Sequence, residues 1–195
     1  MTPSEPIRRY PEILDQLSSA AARFLPRPSG PLESPRIDIG FWERLPAPDL
    51  NTYFTVGLSK LPFQHASPER PELLLSVQSR DISWGLAMGF VANQAGDSFT
   101  FPTGETIDFK AKISPDSEMS GFLIVPQMVF PEEFNVFDTG PFAIRLMQLL
   151  PLYASELRAI RILGPGFFAK QQPDPCSVSR PEVVIPNVGI HPPPN

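Results

Sequence analysis

Cysteine, histidine and positive charge are scarce in this chain. One cysteine, Cys176, occurs in 195 residues, which excludes an internal disulfide and agrees with a reducing, cytoplasmic setting. The two histidines, His65 and His191, lack the HxxxH or HxxE spacing of metal ligands. Cys176 has no paired cysteine, so neither a metal site nor a cofactor is expected. Lys and Arg total 16 against 21 Asp and Glu, a formal net charge of −5. Without a basic cluster, nucleic-acid phosphates find little electrostatic support. The N-terminus, MTPSEPIRRYPEIL, has no apolar run of the signal-peptide kind. Gly, Pro, Asn or Arg cuts every apolar window short of the roughly 20 residues of a membrane-spanning helix. The expected protein is cytoplasmic, a monomer or weak dimer, and partnered by neither nucleic acid nor membrane.

The motifs of catalysis are missing too. There is no GxSxG elbow, and GPG at 164–166 reads as a turn, not a phosphate loop. A pair of Cys176 and His191 would sit in the proline-rich tail, so the thiol reads as incidental. The acids are scattered, and no constellation suggests a reaction. A hydrolase with an unrecognised acid- or Ser-based site stays as the alternative to a non-enzymatic role.

Proline, by contrast, is abundant. The chain has 26, with 42% hydrophobic and 19% charged residues, a composition that fits one globular domain with many abrupt element boundaries. PEILDQLSSAAARFL (11–25) has apolar residues at Ile13, Leu14, Leu17, Ala21, Phe24 and Leu25, helical spacing opened by Pro11 and stopped by Pro26. Strands are expected over RIDIGFW (36–42), NTYFTVGLS (51–59), ELLLSVQS (72–79), a segment around 106–112, and SGFLIVPQ (120–127). ISWGLAMGFVANQAG reads as a helix with apolar residues at Ile82, Leu86, Phe90 and Val91, and Gly96 as its stop. Gly85 and Gly89, four apart, invite a second backbone to approach closely. The tail after Lys170 is proline-rich, with RPEVVIP as a candidate edge strand.

Two stretches carry most of the polar interest. FPEEFNVFDTG (130–140) puts Glu132, Glu133 and Asp138 beside Phe134 and Phe137. It reads either as an exposed recognition loop or as a surface loop that tucks its phenylalanines into the core. PFAIRLMQLLPLYASELRAI (141–160) reads as a strand followed by a helix, with Pro151 in the first helical turn and Gly164 as the stop. Tyr153, Ser155 and Glu156 then open that helix and form no active site. Interspersed strands and helices give an α+β class: a single domain with a mixed, largely antiparallel β-sheet packed by helices.

Taken in order, TYFTVGLSKLPF (52–63), ELLLSVQS (72–79), FVANQ (90–94), FTFPTGETID (99–108), GFLIVPQ (121–127), IRLMQLLPLYASEL (144–157) and SRPEVV (179–184) give the chain a family likeness. It resembles the Suppressor of Fused-like domain, of the bacterial type, over roughly residues 36–186. The resemblance implies a mixed α+β domain without known catalysis that binds another protein. Bacterial members are commonly inferred to be immunity proteins that neutralise a cognate toxin, here a basic one to suit the acidic chain. Animal members sequester an extended peptide between two lobes, partly by strand addition. In that groove the family uses an aromatic on the helix and an acid in the Gly-acid turn, which match Phe90 and Glu105. This chain departs at both, with Phe lacking a hydroxyl and Glu in place of Asp, and it has no second lobe. The resulting partner-binding set is Phe90, Glu105, Glu132, Glu133, Phe134, Phe137 and Asp138. The expected layout is an N-terminal helix over 1–28, the α+β domain over 29–186 and a flexible tail over 187–195.

Overall fold

The computed structural model of the chain describes residues 22–26, 37–62, 68–94 and 101–185. Eight strands make one open sheet: β1 (Arg23–Phe24), β2 (Asp38–Glu43), β3 (Asn51–Val56), β4 (Glu69–Val77), β5 (Thr106–Asp108), β6 (Gly121–Pro126), β7 (Val136–Asp138) and β8 (Ala143–Leu152). Their order is β1-β2-β3-β4-β8-β6-β5, and β7 also pairs with β8. Only β4 and β8 run parallel among these pairs. Three helices complete the described fold: α1 (Ser83–Asn93), α2 (Ala154–Leu163) and α3 (Pro165–Lys170). The α+β class with a mixed, mostly antiparallel sheet is therefore observed.

Both faces of the sheet are covered, so its central strands are apolar on both sides. On one face Leu73, Leu75 and Val77 of β4 and Met147 and Leu149 of β8 pack with Trp84, Met88 and Val91 of α1. On the other face, Leu74, Ile144 and Leu146 meet Trp42, Phe54, Phe130 and Phe137. Farther along that face, Leu123, Leu150 and Leu152 meet Leu157 and Ile160 of α2 and Phe168 of α3.

Pro151 departs from expectation. It lies inside β8, opposite Phe122 of β6, and the helix begins only at Ala154 after Tyr153. The Leu152 carbonyl accepts from Ser120 N (2.9 Å), while the Pro151 carbonyl accepts from Arg180 Nη2 (3.2 Å). Pairing of β8 with β4 ends at Gln148, so the missing N–H of Pro151 breaks no ladder with that strand. Gly164 does end α2, with φ at 81°.

Other boundaries shift as well. The strand expected around 106–112 stops at Asp108, and Lys110 follows with a φ of 60°. No strand forms over 180–185; side-chain hydrogen bonds hold that segment instead. The expected N-terminal helix falls largely outside the described residues, as does Gly96. Among the described residues, Arg23–Phe24 is a strand paired with Phe41 and Gly40, so the sheet includes residues before 29. The proposed tail over 187–195 also lies outside the described residues.

Candidate functional site

α1 is apolar all round, which decides what the molecule shows to its surroundings. Its inner side, Trp84, Gly85, Met88, Val91 and Ala92, is buried. Gly85 is required there: a Cβ would come within 2.4 Å of the Tyr53 ring and 2.9 Å of Leu25 Cδ1. At Gly89 the nearest atom is Ile39 Cγ1, at 3.2 Å. The close approach expected at the two glycines is thus made by side chains of the sheet, not by another backbone.

The outer side carries Ile82, Leu86 and Phe90, which are 46, 52 and 57% exposed. Spaced four apart, they form one stripe along the helix. Helical periodicity gave Ile82, Leu86, Phe90 and Val91 as the apolar positions of a helix; of these only Val91 turns inward to the core. Phe90 additionally stacks near Phe109 at 5.7 Å between ring centroids. A stripe of large apolar side chains left to solvent is the kind of feature that marks an interaction surface.

The N-terminal end of α1 is fixed by hydrogen bonds. Asp81 Oδ1 accepts from Ser83 N (2.8 Å), a contact that holds its carboxyl below the ordinary range. Tyr53 donates its hydroxyl to the Asp81 carbonyl (3.2 Å); burial, then the Asp81 charge, pushes this phenol up to about 12. Beside this end opens a groove of about 790 Å³, lined among others by Arg23, Phe41, Arg44, Tyr53, Arg80 and Ile82. Ile82 belongs to both groove and stripe, so the two form one continuous surface.

The seven expected partner-binding residues do not converge. Phe90 lies on the α1 face of the sheet. Glu105 is exposed at the opposite end of β5 from Phe109, about 13 Å along an extended chain. Glu132, Glu133, Phe134, Phe137 and Asp138 sit on the reverse face. There Phe137 is buried in β7 and Phe134 is partly buried against the same cluster. Gln127 locks this loop: its Nε2 donates to the carbonyls of Phe130 and Pro131 and to Asn135 Oδ1, and its Oε1 accepts from Phe130 N. Of the two readings of FPEEFNVFDTG, packing into the core describes Phe130 and Phe137. Glu132, Glu133 and Asp138 remain exposed.

Two buried carboxylates have structural partners. Glu156 is gripped by Arg180, and its Oε2 also accepts from Tyr153 N (3.1 Å). Glu72 on β4 accepts from Thr55 Oγ1, Gly57 N, Ser59 N and Ser59 Oγ. Burial pushes the Glu72 carboxyl up, against the lowering pull of those hydrogen bonds. Neither group opens onto the groove. Sequence reasoning placed Glu156 at a helix start and passed over Glu72 and Arg180; only three-dimensional pairing reveals what they hold. The serine–acid contacts of Ser79 and Ser114 with Asp116 (both 2.5 Å) tie neighbouring loops together. Among the described residues no three His, Cys, Asp or Glu side chains gather as a metal site, and no helix is long and apolar enough to cross a membrane. His65 and His191 lie outside the described residues.

Known proteins share this architecture. The family model for Suppressor of fused protein (SUFU) matches residues 33–173. The crystal structure of a SUFU homologue from Neisseria gonorrhoeae FA 1090 superposes with a TM-score of 0.73 at 14% identity, covering 89% of this chain and 94% of that one. A chain of the Sufu–Fu complex gives a TM-score of 0.54 at 14% identity, covering 74% of this chain and 75% of that one. No curated protein sequence matches the chain.

Proposed function

The chain belongs to the Suppressor of fused family, and from that premise we propose that it works without catalysis, by binding another protein through the outer face of α1. The observation that carries this reading is the exposed stripe of Ile82, Leu86 and Phe90, continuous with the groove at its end. A related fold forms part of the Sufu–Fu complex, which supports protein binding as the general mode. The net charge of −5 favours a basic partner, because opposite fields speed association and suppress wrong encounters.

In the finer version of this reading, the chain is an immunity-type protein that neutralises a cognate basic toxin or sequesters an extended peptide. The stripe supplies the apolar anchor, and the exposed acids Glu132, Glu133 and Asp138, on the opposite face, supply long-range attraction without touching the partner. Affinity and on-rate should therefore separate. The test is capture from the source cell with immobilised full-length chain, followed by titration of the identified partner. Leu86→Asp with Phe90→Asp should abolish binding, whereas Glu132→Lys with Glu133→Lys should slow association and leave dissociation nearly unchanged. Equal binding by all three proteins would refute the assignment of the stripe.

A further inference from the structure

The groove beside α1 is basic, although the chain as a whole is acidic. We propose that it takes an acidic, extended segment of the partner, with a carboxylate held by Arg44 and Arg80 and the adjoining apolar side chain laid over Phe41 toward Ile82. This names the chemistry of the partner that the outer face of α1 receives, and it rests on that reading.

Charge is the first support. Arg23, Arg44 and Arg80 line the groove against one lining carboxylate, Glu43. Glu43 is already paired with Arg23 Nη1 (2.7 Å). Among the described residues, Arg44 and Arg80 enter no ion pair. The other acids that act on Tyr53, Asp81 and Asp116, are engaged as well. Asp81 accepts from Ser83 N, and Asp116 accepts from the hydroxyls of Ser79 and Ser114. Two guanidiniums thus face an incoming anion, and their planar forks match a carboxylate through paired hydrogen bonds.

The backbone at Arg44 is the second. Along β2, Ile39 and Phe41 turn toward α1 and Trp42 turns away, so strict alternation would send residue 44 away too. Arg44 instead has a φ of 60°, a left-handed conformation that Gly, Asn and Asp adopt far more readily. That turn sets Arg44 beside Glu43 on the same groove. Strain of this kind points to a functional constraint, and here it delivers a charge.

Shape is the third. The rings of Phe41 and Tyr53 line the groove with centroids 5.8 Å apart, which gives an apolar side chain a surface to cover. The volume of about 790 Å³ suits a peptide-sized or drug-sized ligand. Because Ile82 borders both groove and stripe, a segment entering the groove can continue along α1. The net charge of −5 attracts a basic partner at long range, whereas the groove selects one acidic segment of it at contact.

The test measures, by fluorescence anisotropy, binding of two short, capped, labelled peptides to the full chain. One alternates glutamate with phenylalanine, and the other has glutamine in place of glutamate. The glutamate peptide should bind at least about tenfold more tightly. Arg44→Gln with Arg80→Gln should remove that difference, whereas Arg158→Gln on the exposed side of α2 should leave it unchanged. Arg44→Asn separates binding from folding. Asn suits a φ of 60°, so this variant should melt no lower than the parent and still lose affinity. Four results would each overturn the proposal: no binding of either peptide, equal binding of both, an equal loss with Arg158→Gln, or a lowered melting temperature for Arg44→Asn. No partner is added, so failure here leaves the reading of Leu86 and Phe90 as a partner contact intact.

Discussion

Arg180, in the segment after α3, closes onto Glu156 of α2 through two parallel hydrogen bonds of 2.6 and 2.7 Å, with both side chains almost fully buried. The same guanidinium donates to the Pro151 carbonyl and lies 5.4 Å from the Tyr153 and Phe168 ring centroids. Tyr153 returns its hydroxyl to the Arg180 carbonyl, and Val183 N donates to Glu156 Oε1 (2.8 Å). This clasp fixes the C-terminal segment where no strand pairing does.

Arg180→Ala therefore leaves a buried, uncompensated carboxylate and should cost about 3–5 kcal/mol. Urea unfolding measures this. A Glu156→Gln, Arg180→Met double variant should recover much of the loss, because neither replacement carries a charge and the new amide oxygen can still accept from Tyr153 N or Val183 N. A cost below about 1 kcal/mol for Arg180→Ala would mean that water reaches Glu156.

Glu72 makes stability pH-dependent in a definite direction. Its folded carboxyl is raised above its ordinary value of 4.5, chiefly by burial. The fold thus holds this proton more tightly than the unfolded chain does. Stability is full below that ordinary value and falls as pH rises through the folded value. Glu72→Gln keeps an oxygen for Gly57 N and Ser59 N but cannot ionise. Its stability relative to the parent should improve from acid to neutral pH in urea titrations. Parallel pH curves for the two proteins would contradict this.

Cys176 should behave as an inert core residue. Burial, then the Asp174 charge, pushes its thiol up to about 12, so almost no thiolate exists at neutral pH. Ellman's reagent should modify it only as fast as the chain opens, and faster in moderate urea. Rapid, complete reaction of the native protein would show that the site is open.

Gly85 and Gly89 should respond oppositely to alanine. At Gly85 the new methyl group meets the Tyr53 ring at 2.4 Å, and overpacking of this kind costs about 1–3 kcal/mol. At Gly89 the close neighbour is the partly buried Ile39, with Cγ1 at 3.2 Å and Cδ1 at 3.6 Å; a small shift of that side chain makes room, so the helix-propensity gain of up to about 1 kcal/mol should dominate. Thermal melts of the two single variants decide the matter.

How much of this was legible follows from the local physics. The β2, β3, β4, β6 and β8 strands were visible because apolar and β-branched residues run between turn signals. The inner face of α1 was not, because Trp84 and Met88 compete with Leu86 and Phe90 in a helix apolar on every side. Pro151 misled because its preset φ suits a first helical turn and an extended strand alike, and only the end of β4 pairing at Gln148 decides between them. Phe90 was singled out through family likeness, whereas Ile82 and Leu86 were noted only as apolar positions of a helix, with no face assigned to them. The acidic loop was recognised as a unit, but its placement on the opposite face depends on β7 pairing with β8, a three-residue contact too short to see in sequence.

The central claim is that partners bind the outer face of α1. Hydrogen–deuterium exchange on the full chain, with and without a captured partner, tests it most directly. The account predicts new protection over residues 82–93 and the groove strands, with little change over 130–138. Protection confined to 130–138 or to the segment around Arg180, with α1 unchanged, would contradict it.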